Sequence, residues 1–165
     1  MRRAARCLAL AAVAAVCGLL IRNFAFFTAR VVGDSMNGAL QSGDVVLVSR
    51  LAWRLGEPAR GDVALARAGG AQLIKRIVGL PGEDVALSGG RLYLGGRPAD
   101  EPYLPGDAGD GYERTMGPAE YLLLGDNRHH SHDSRAADVG PAARADLVGK
   151  VVWILWPPER AGIVE

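Results

Sequence analysis

The chain has 165 residues, of which 49% are hydrophobic, so one domain of ordinary size with its own core is expected and wholesale disorder is excluded. Basic and acidic side chains nearly cancel at a net charge of +1, which gives no reason to expect a nucleic-acid partner. The balance hides an asymmetry. Residues 1–30 carry Arg2, Arg3, Arg6, Arg22 and Arg30 and no acid, while the remainder carries more acid than base. Both cysteines, Cys7 and Cys17, also fall in this first segment. Ten positions apart on a helix they point in different directions and cannot bridge. A disulfide scaffold and a cysteine-ligated metal are therefore not expected in the rest of the chain.

Cys7 to Ile21 is an uncharged run behind three arginines. At about 1.5 Å per residue it falls short of the roughly 30 Å hydrocarbon core, so length alone favours the apolar region of a cleaved leader. Two features favour an uncleaved single span instead. Arg6 and Arg22 can snorkel outward, and Phe24, Phe26 and Phe27 extend an aromatic belt into the interface. No small-x-small site follows the run, and Val16 stands where a lipoprotein cleavage at Cys17 would want a small residue. The arginine bias places the N-terminus in the cytoplasm and the body outside.

From Val31 onward, short apolar runs are cut by Gly, Pro, Asn and Asp. Strands are expected at Val45–Ser49, Val63–Arg67, Leu73–Val78, Val85–Leu87, Arg91–Leu94, Tyr121–Leu124 and Val148–Leu155. Ser88-Gly89-Gly90-Arg91 and Leu94-Gly95-Gly96-Arg97 read as hairpin turns, and Leu51–Leu55 as the one short helix candidate. Residues 97–118, rich in Pro, Gly and acids, read as a surface excursion. Val151 to Trp156, stopped by Pro157-Pro158, reads as a buried closing strand. The expected architecture is mainly β: residues 1–30 as cytoplasmic tip, transmembrane helix and interfacial segment, then a compact antiparallel sheet or barrel over residues 31–165.

Lysine usage points to chemistry. Among 19 basic side chains only Lys75 and Lys150 are lysines. Arginine cannot lose its proton in a protein, whereas a buried lysine can. Alternation along Gln72–Val78 puts Leu73, Lys75 and Ile77 on one face, where desolvation lowers the amine pKa. At an ordinary value near 10.4 about one lysine in 2,500 is neutral at pH 7; at roughly 7–8 a tenth to a half is, which suits a general base. A lysine snorkelling at a sheet edge fits the same pattern. Lys150 has no such neighbourhood and reads as incidental.

Ser35, in Val32-Gly33-Asp34-Ser35-Met36-Asn37-Gly38, is the nucleophile candidate because flanking glycines allow a tight, exposed turn. A serine in an ordinary glycine-flanked loop looks the same. The segment Gly125–Arg135 is dense in polar groups directly after an apolar strand. Its His129, His130 and His132 raise a metal site or a histidine-based triad with Ser35 and Asp133. Adjacent histidines diverge on most backbones, and no second histidine-rich segment completes a coordination sphere.

Taken in order, Gly33-Asp34-Ser35-Met36, Ile74-Lys75-Arg76-Ile77-Val78-Gly79-Leu80-Pro81-Gly82 and Gly125-Asp126-Asn127-Arg128 with Ser131, Asp133, Ser134 and Arg135 resemble the type I signal peptidases. These are membrane-bound serine proteases with a Ser-Lys dyad. Arg60–Val63, Gly95–Pro98 with Glu101–Leu104, and Leu147–Val151 resemble further boxes of that family. The resemblance implies that Ser35 acylates and Lys75 is the general base. It implies that Ser131 orients the Lys75 amine, and that Arg76, Asp126, Asp133 and Arg135 form a salt-bridged frame. The Ser35 N–H would be one oxyanion donor; Gly33 occupies the position where some members place a second, hydroxyl donor. Met36, Leu73 and Ile74 are substrate-pocket candidates.

The resemblance further implies preprotein substrates cut after small-x-small at the bilayer surface, bound extended against an exposed strand, with no metal or cofactor. Asn37-Gly38-Ala39 departs from the family's x-Pro-Thr after the nucleophile and Met. A specialised maturation peptidase of the same family and a catalytically silent, membrane-tethered peptide-binding module are the competing readings.

Overall fold

The computed structural model describes residues 25–164 and, within the first 24, only Arg6, Cys7, Leu10, Val13, Val16 and Gly18, all on helical backbone. Most of the expected span over Cys7–Ile21 lies outside the described residues. Among those described, no helix is long and apolar enough to cross a membrane.

Among the described residues, twelve strands make two antiparallel sheets. They are β1 (Phe26–Arg30), β2 (Val45–Ser49), β3 (Val63–Ala68), β4 (Ala71–Gly79), β5 (Asp84–Ser88), β6 (Arg91–Leu94), β7 (Arg97–Ala99), β8 (Tyr112–Thr115), β9 (Glu120–Leu124), β10 (Ala142–Ala143), β11 (Leu147–Trp156) and β12 (Gly162–Ile163). One four-residue helix, α1 (Ala52–Leu55), follows β2. The larger sheet runs β1-β2-β11-β3-β4-β9-β10 with β12 on β11, and the smaller runs β7-β6-β5-β8. The larger sheet is an open path rather than a closed barrel.

Sequence pattern accounts for the layering. Along β9, Tyr121 and Leu123 enter one apolar cluster with Ala64, Ala66 and Ile77, while Leu122 and Leu124 enter another with Val78, Val85 and Leu87. Period-two alternation thus buries both faces of β9, one against the large sheet's own core and one against the small sheet. A third cluster, around Val46, Val48, Leu65 and Val151, takes in Met36 and Leu40. The Gly89-Gly90 turn adopts positive φ at both central residues, as a two-residue hairpin requires, and Gly95-Gly96 repeats it.

Three expectations need correction. Residues 97–118 are not only an excursion: β7 and β8 lie within them and flank the small sheet, pairing with β6 and β5. Pro98 is tolerated in β7 because β7 is an edge strand, where a missing N–H costs little. Phe26 and Phe27 belong to β1, paired with β2 from Phe26↔Ser49 to Arg30↔Val45, so the folded unit begins before residue 31. Finally, β11 is central, between β2 and β3, but its far end is not buried. Beyond Val151 the register shifts twice, leaving Trp153, Leu155 and Trp156 exposed.

Candidate active site

The turn after β1 carries Ser35 next to Met36, whose fully buried side chain pins the turn into the core. Asn37 N–H donates to the Asp34 carbonyl and Leu40 N–H to the Met36 carbonyl, closing the turn on itself. Lys75 sits in β4 opposite Ala64 of β3. Its Nζ lies 2.5 Å from Ser35 Oγ, within hydrogen-bond contact. Only 4% of Lys75 is exposed, and burial is the main cause lowering its pKa. Asp133 and Asp126 pull upward and Arg135 downward, and the net direction is down.

A cavity of about 590 Å³ opens beside this pair. Its walls are Phe27–Val32 on one side and Gln72–Lys75 on the other, with Met36 and Leu65 between. Met36, Leu73 and Ile74 all line it. Among the described residues, both walls are strand edges without a partner. β1 ends the sheet, and β9 pairs with β4 only from Arg76 onward. Unpaired edges facing a cavity are ready to accept an extended peptide.

The loop after β9 packs on Ser35. Asn127 N–H donates to the Ser35 carbonyl at 3.0 Å, and the Asn127 side-chain amide donates to the Asp34 carbonyl. Two ion pairs hold this loop. Arg76 donates bidentately to Asp126 at 2.8 and 2.7 Å, both side chains essentially inaccessible, and its remaining nitrogen donates to the Gly61 carbonyl. Arg135 donates to both oxygens of Asp133, which also accepts the Gly125 N–H. Burial pushes the Asp133 carboxyl up, but the bonds from Arg135 and Gly125 outweigh it and hold it below the ordinary value.

Ser131 does not reach Lys75. Its buried Oγ makes no hydrogen bond of full geometry among the described residues and faces Asp133, whose carboxyl it helps to hold low. Gly33 is otherwise committed too, since its N–H donates to Ser42 Oγ at 3.2 Å. The Ser35 N–H takes part in no hydrogen bond among the described residues.

The three histidines diverge: His129 meets Asp107, His132 meets Asp138, and His130 lies against Asn127. Among the described residues no group of three His, Cys, Asp or Glu side chains could hold a metal ion. Lys150 is ion-paired with Asp62 at 2.5 Å. Four residues with no assigned role in the sequence reading also bear on the site. Glu101, Tyr103 and Arg128 are tied together behind Asn127, and Gly125 fills a space too small for any side chain. Their signals were present only as box residues, because a buried carboxylate–guanidinium pair 27 positions apart has no local signature.

A serine hydroxyl against a buried lysine amine, beside an open groove, has the parts of a serine hydrolase that uses lysine as its base. Comparison with known proteins gives the family. The family model described as "Signal peptidase, peptidase S26" matches residues 2–156, and the chain belongs to that family. It is 34% identical over 157 residues to signal peptidase I S of Bacillus subtilis, covering 88% of this chain and 85% of that protein. It is also 34% identical over 160 residues to signal peptidase I of Leptolyngbya laminosa, covering 89% and 77%. The crystal structure of a signal peptidase I from Enterococcus faecalis superposes with a TM-score of 0.50 at 28% identity, covering 57% of this chain and 96% of the other.

Proposed function

We propose that the chain is a serine endopeptidase that removes signal peptides from exported preproteins through a Ser35–Lys75 dyad. The observation that carries this reading is the 2.5 Å contact between Ser35 Oγ and a Lys75 amine that burial pushes toward its neutral form. Neutral Lys75 takes the hydroxyl proton as Oγ bonds to the scissile carbonyl carbon. The Ser35 N–H stabilises the oxyanion. Collapse breaks the peptide bond, and the departing amine takes the proton from Lys75. A water, deprotonated by the same amine, then releases the acyl group. Ser131 is assigned the orienting of the Lys75 amine on family resemblance, although its buried Oγ makes no hydrogen bond to Lys75 and lies toward Asp133.

The substrate is read as an extended segment lying between the free edges of β1 and β4. Met36, Leu73 and Ile74 shape apolar subsites that admit small side chains before the cut. The N-terminal segment is assigned as a single span with the N-terminus cytoplasmic and the catalytic unit on the outer face. Leu10, Val13 and Val16, exposed apolar side chains on helical backbone, support it, as do the flanking arginines.

The test is cleavage of a model preprotein bearing a small-x-small site by the wild type, Ser35→Ala and Lys75→Ala enzymes. The wild type is expected to cut, and each variant to lose at least about a thousandfold, as removal of a triad member does. Full activity in Lys75→Ala would overturn the dyad.

A further inference from the structure

Behind the loop that packs on Ser35 lies a closed ring of contacts. Arg76 pairs with Asp126, and its guanidinium stands 4.0 Å over the Tyr103 ring. The Tyr103 hydroxyl donates to Glu101 at 2.8 Å. Glu101 accepts from both terminal nitrogens of Arg128, a pair buried at 5% and 1% side-chain exposure. Arg128 Nε in turn donates to the Gly125 carbonyl at 3.0 Å, next to Asp126, and the ring closes. Glu101 and Tyr103 lie on the segment that leaves β7 for β8, so the small sheet supplies one side of the ring.

This strap reaches the nucleophile turn from two directions. Upstream, the ring fixes the backbone of residues 125–128, whose Asn127 N–H donates to the Ser35 carbonyl. Downstream, Pro105 and the Tyr103 carbonyl pack on Gly38, each 3.7 Å from where a Cβ would stand. Nothing in the proton-transfer chemistry requires a second buried ion pair here. Burying a carboxylate and a guanidinium is costly and by itself adds little to stability. The geometry is better suited to fixing one arrangement of the loop.

Resting on the dyad reading above, we propose that Tyr103, held by Glu101 and Arg128, is a positioning residue that sets the Ser35 turn against Lys75. It touches neither substrate nor the reacting atoms. It acts through Arg76 and Glu101 on Asn127, and through its own backbone on Gly38. The small sheet thereby takes part in aligning a nucleophile that belongs to the large one.

Tyr103→Phe keeps the ring under Arg76 and removes only the hydroxyl bond to Glu101. With the full chain and a model preprotein, kcat is expected to fall about tenfold, the size of one lost charge-assisted hydrogen bond, with KM unchanged within about twofold. The melting temperature should fall by no more than a few degrees, and exchange of the Asn127 amide proton should quicken by about tenfold. Glu101→Gln should lower kcat further, and Glu101→Asp should recover part of it. Wild-type kcat and Asn127 exchange in Tyr103→Phe would overturn the proposal. So would a kcat loss that follows the melting temperature and disappears on cooling, because the role would then be merely structural. If the wild type leaves the preprotein uncut, the dyad reading fails, and Asn127 exchange still decides the strap.

Discussion

Gly125 stands so close to Ser131 that a Cβ built on it would lie 2.3 Å from the Ser131 hydroxyl and 2.4 Å from the Ser35 carbonyl. No side chain fits between the loop and the nucleophile turn, and neither neighbour is a flexible tip. The backbone must approach this closely for Asn127 to reach the Ser35 carbonyl. Gly125→Ala is therefore expected to push Ser35 away from Lys75 and to cost about a hundredfold in cleavage, since displacements near 1 Å cost that much. Single-turnover cleavage measures it directly. An alanine enzyme within about threefold of wild type would show that the turn tolerates displacement.

The strand pattern was legible because alternation and turn residues are local: the Val45–Ser49, Arg91–Leu94 and Tyr121–Leu124 readings match β2, β6 and β9 to within a residue. Ser35 and Lys75 were legible singly, one as a glycine-flanked serine and one as a rare lysine on an apolar face. Their contact, 40 positions apart in sequence, came only from family likeness. What stayed hidden depended on distant pairing. β8 carries Tyr112-Glu113-Arg114-Thr115, too polar to read as a strand until β5 lies beside it. The Glu101–Arg128 pair likewise has meaning only once the two sheets are packed together.

The Lys75 amine gives two linked pH effects of defined sign. Its neutral form is the active base, so kcat/KM should rise with pH through a pKa below the ordinary lysine value of 10.5. A profile flat from pH 6 to 9 would contradict this. In stability the sign reverses. The unfolded chain binds the lysine proton more tightly than the folded one does. The charged amine therefore penalises the fold fully below the folded pKa, and the penalty fades as pH rises toward the unfolded value. Lys75→Met should raise the melting temperature near pH 6, with the gain shrinking toward pH 10. A variant less stable than wild type at pH 6 would mean that the amine is not desolvated.

Arg76 and Asp126 are both inaccessible, and each is the other's main partner. Removing one leaves a bare buried charge, so Asp126→Ala should cost about 3–5 kcal/mol. At roughly 2–4 °C per kcal/mol for a chain of this size, the melting temperature should drop by about 10 °C or more. Replacing both, as Arg76→Met with Asp126→Leu, should recover much of the stability but not the activity, because the loop would lose its fixed arrangement. Urea unfolding of the single and double variants, alongside cleavage, separates the two effects. A single variant as stable as wild type would refute the reading of a buried, dry pair.

The Asn37-Gly38-Ala39 departure is accommodated by a different route to rigidity. Gly38 adopts φ +121°, which proline, fixed near −65°, cannot reach. The turn is instead held from the C-terminal segment, where Arg160 donates to the buried Asp44 at 3.0 Å and to the Ala39 carbonyl at 3.3 Å. Installing the family residue should therefore harm this chain. Gly38→Pro is expected to lower both the melting temperature and the cleavage rate, although proline usually stabilises a turn whose φ it fits. Arg160→Ala should lower cleavage too, by leaving the buried Asp44 with the Gln41 N–H but no cation, at a cost of about 1–3 kcal/mol. A Gly38→Pro enzyme more stable and more active than wild type would show that the turn relaxes to the family geometry, and that the contacts from Arg160 are not what holds it.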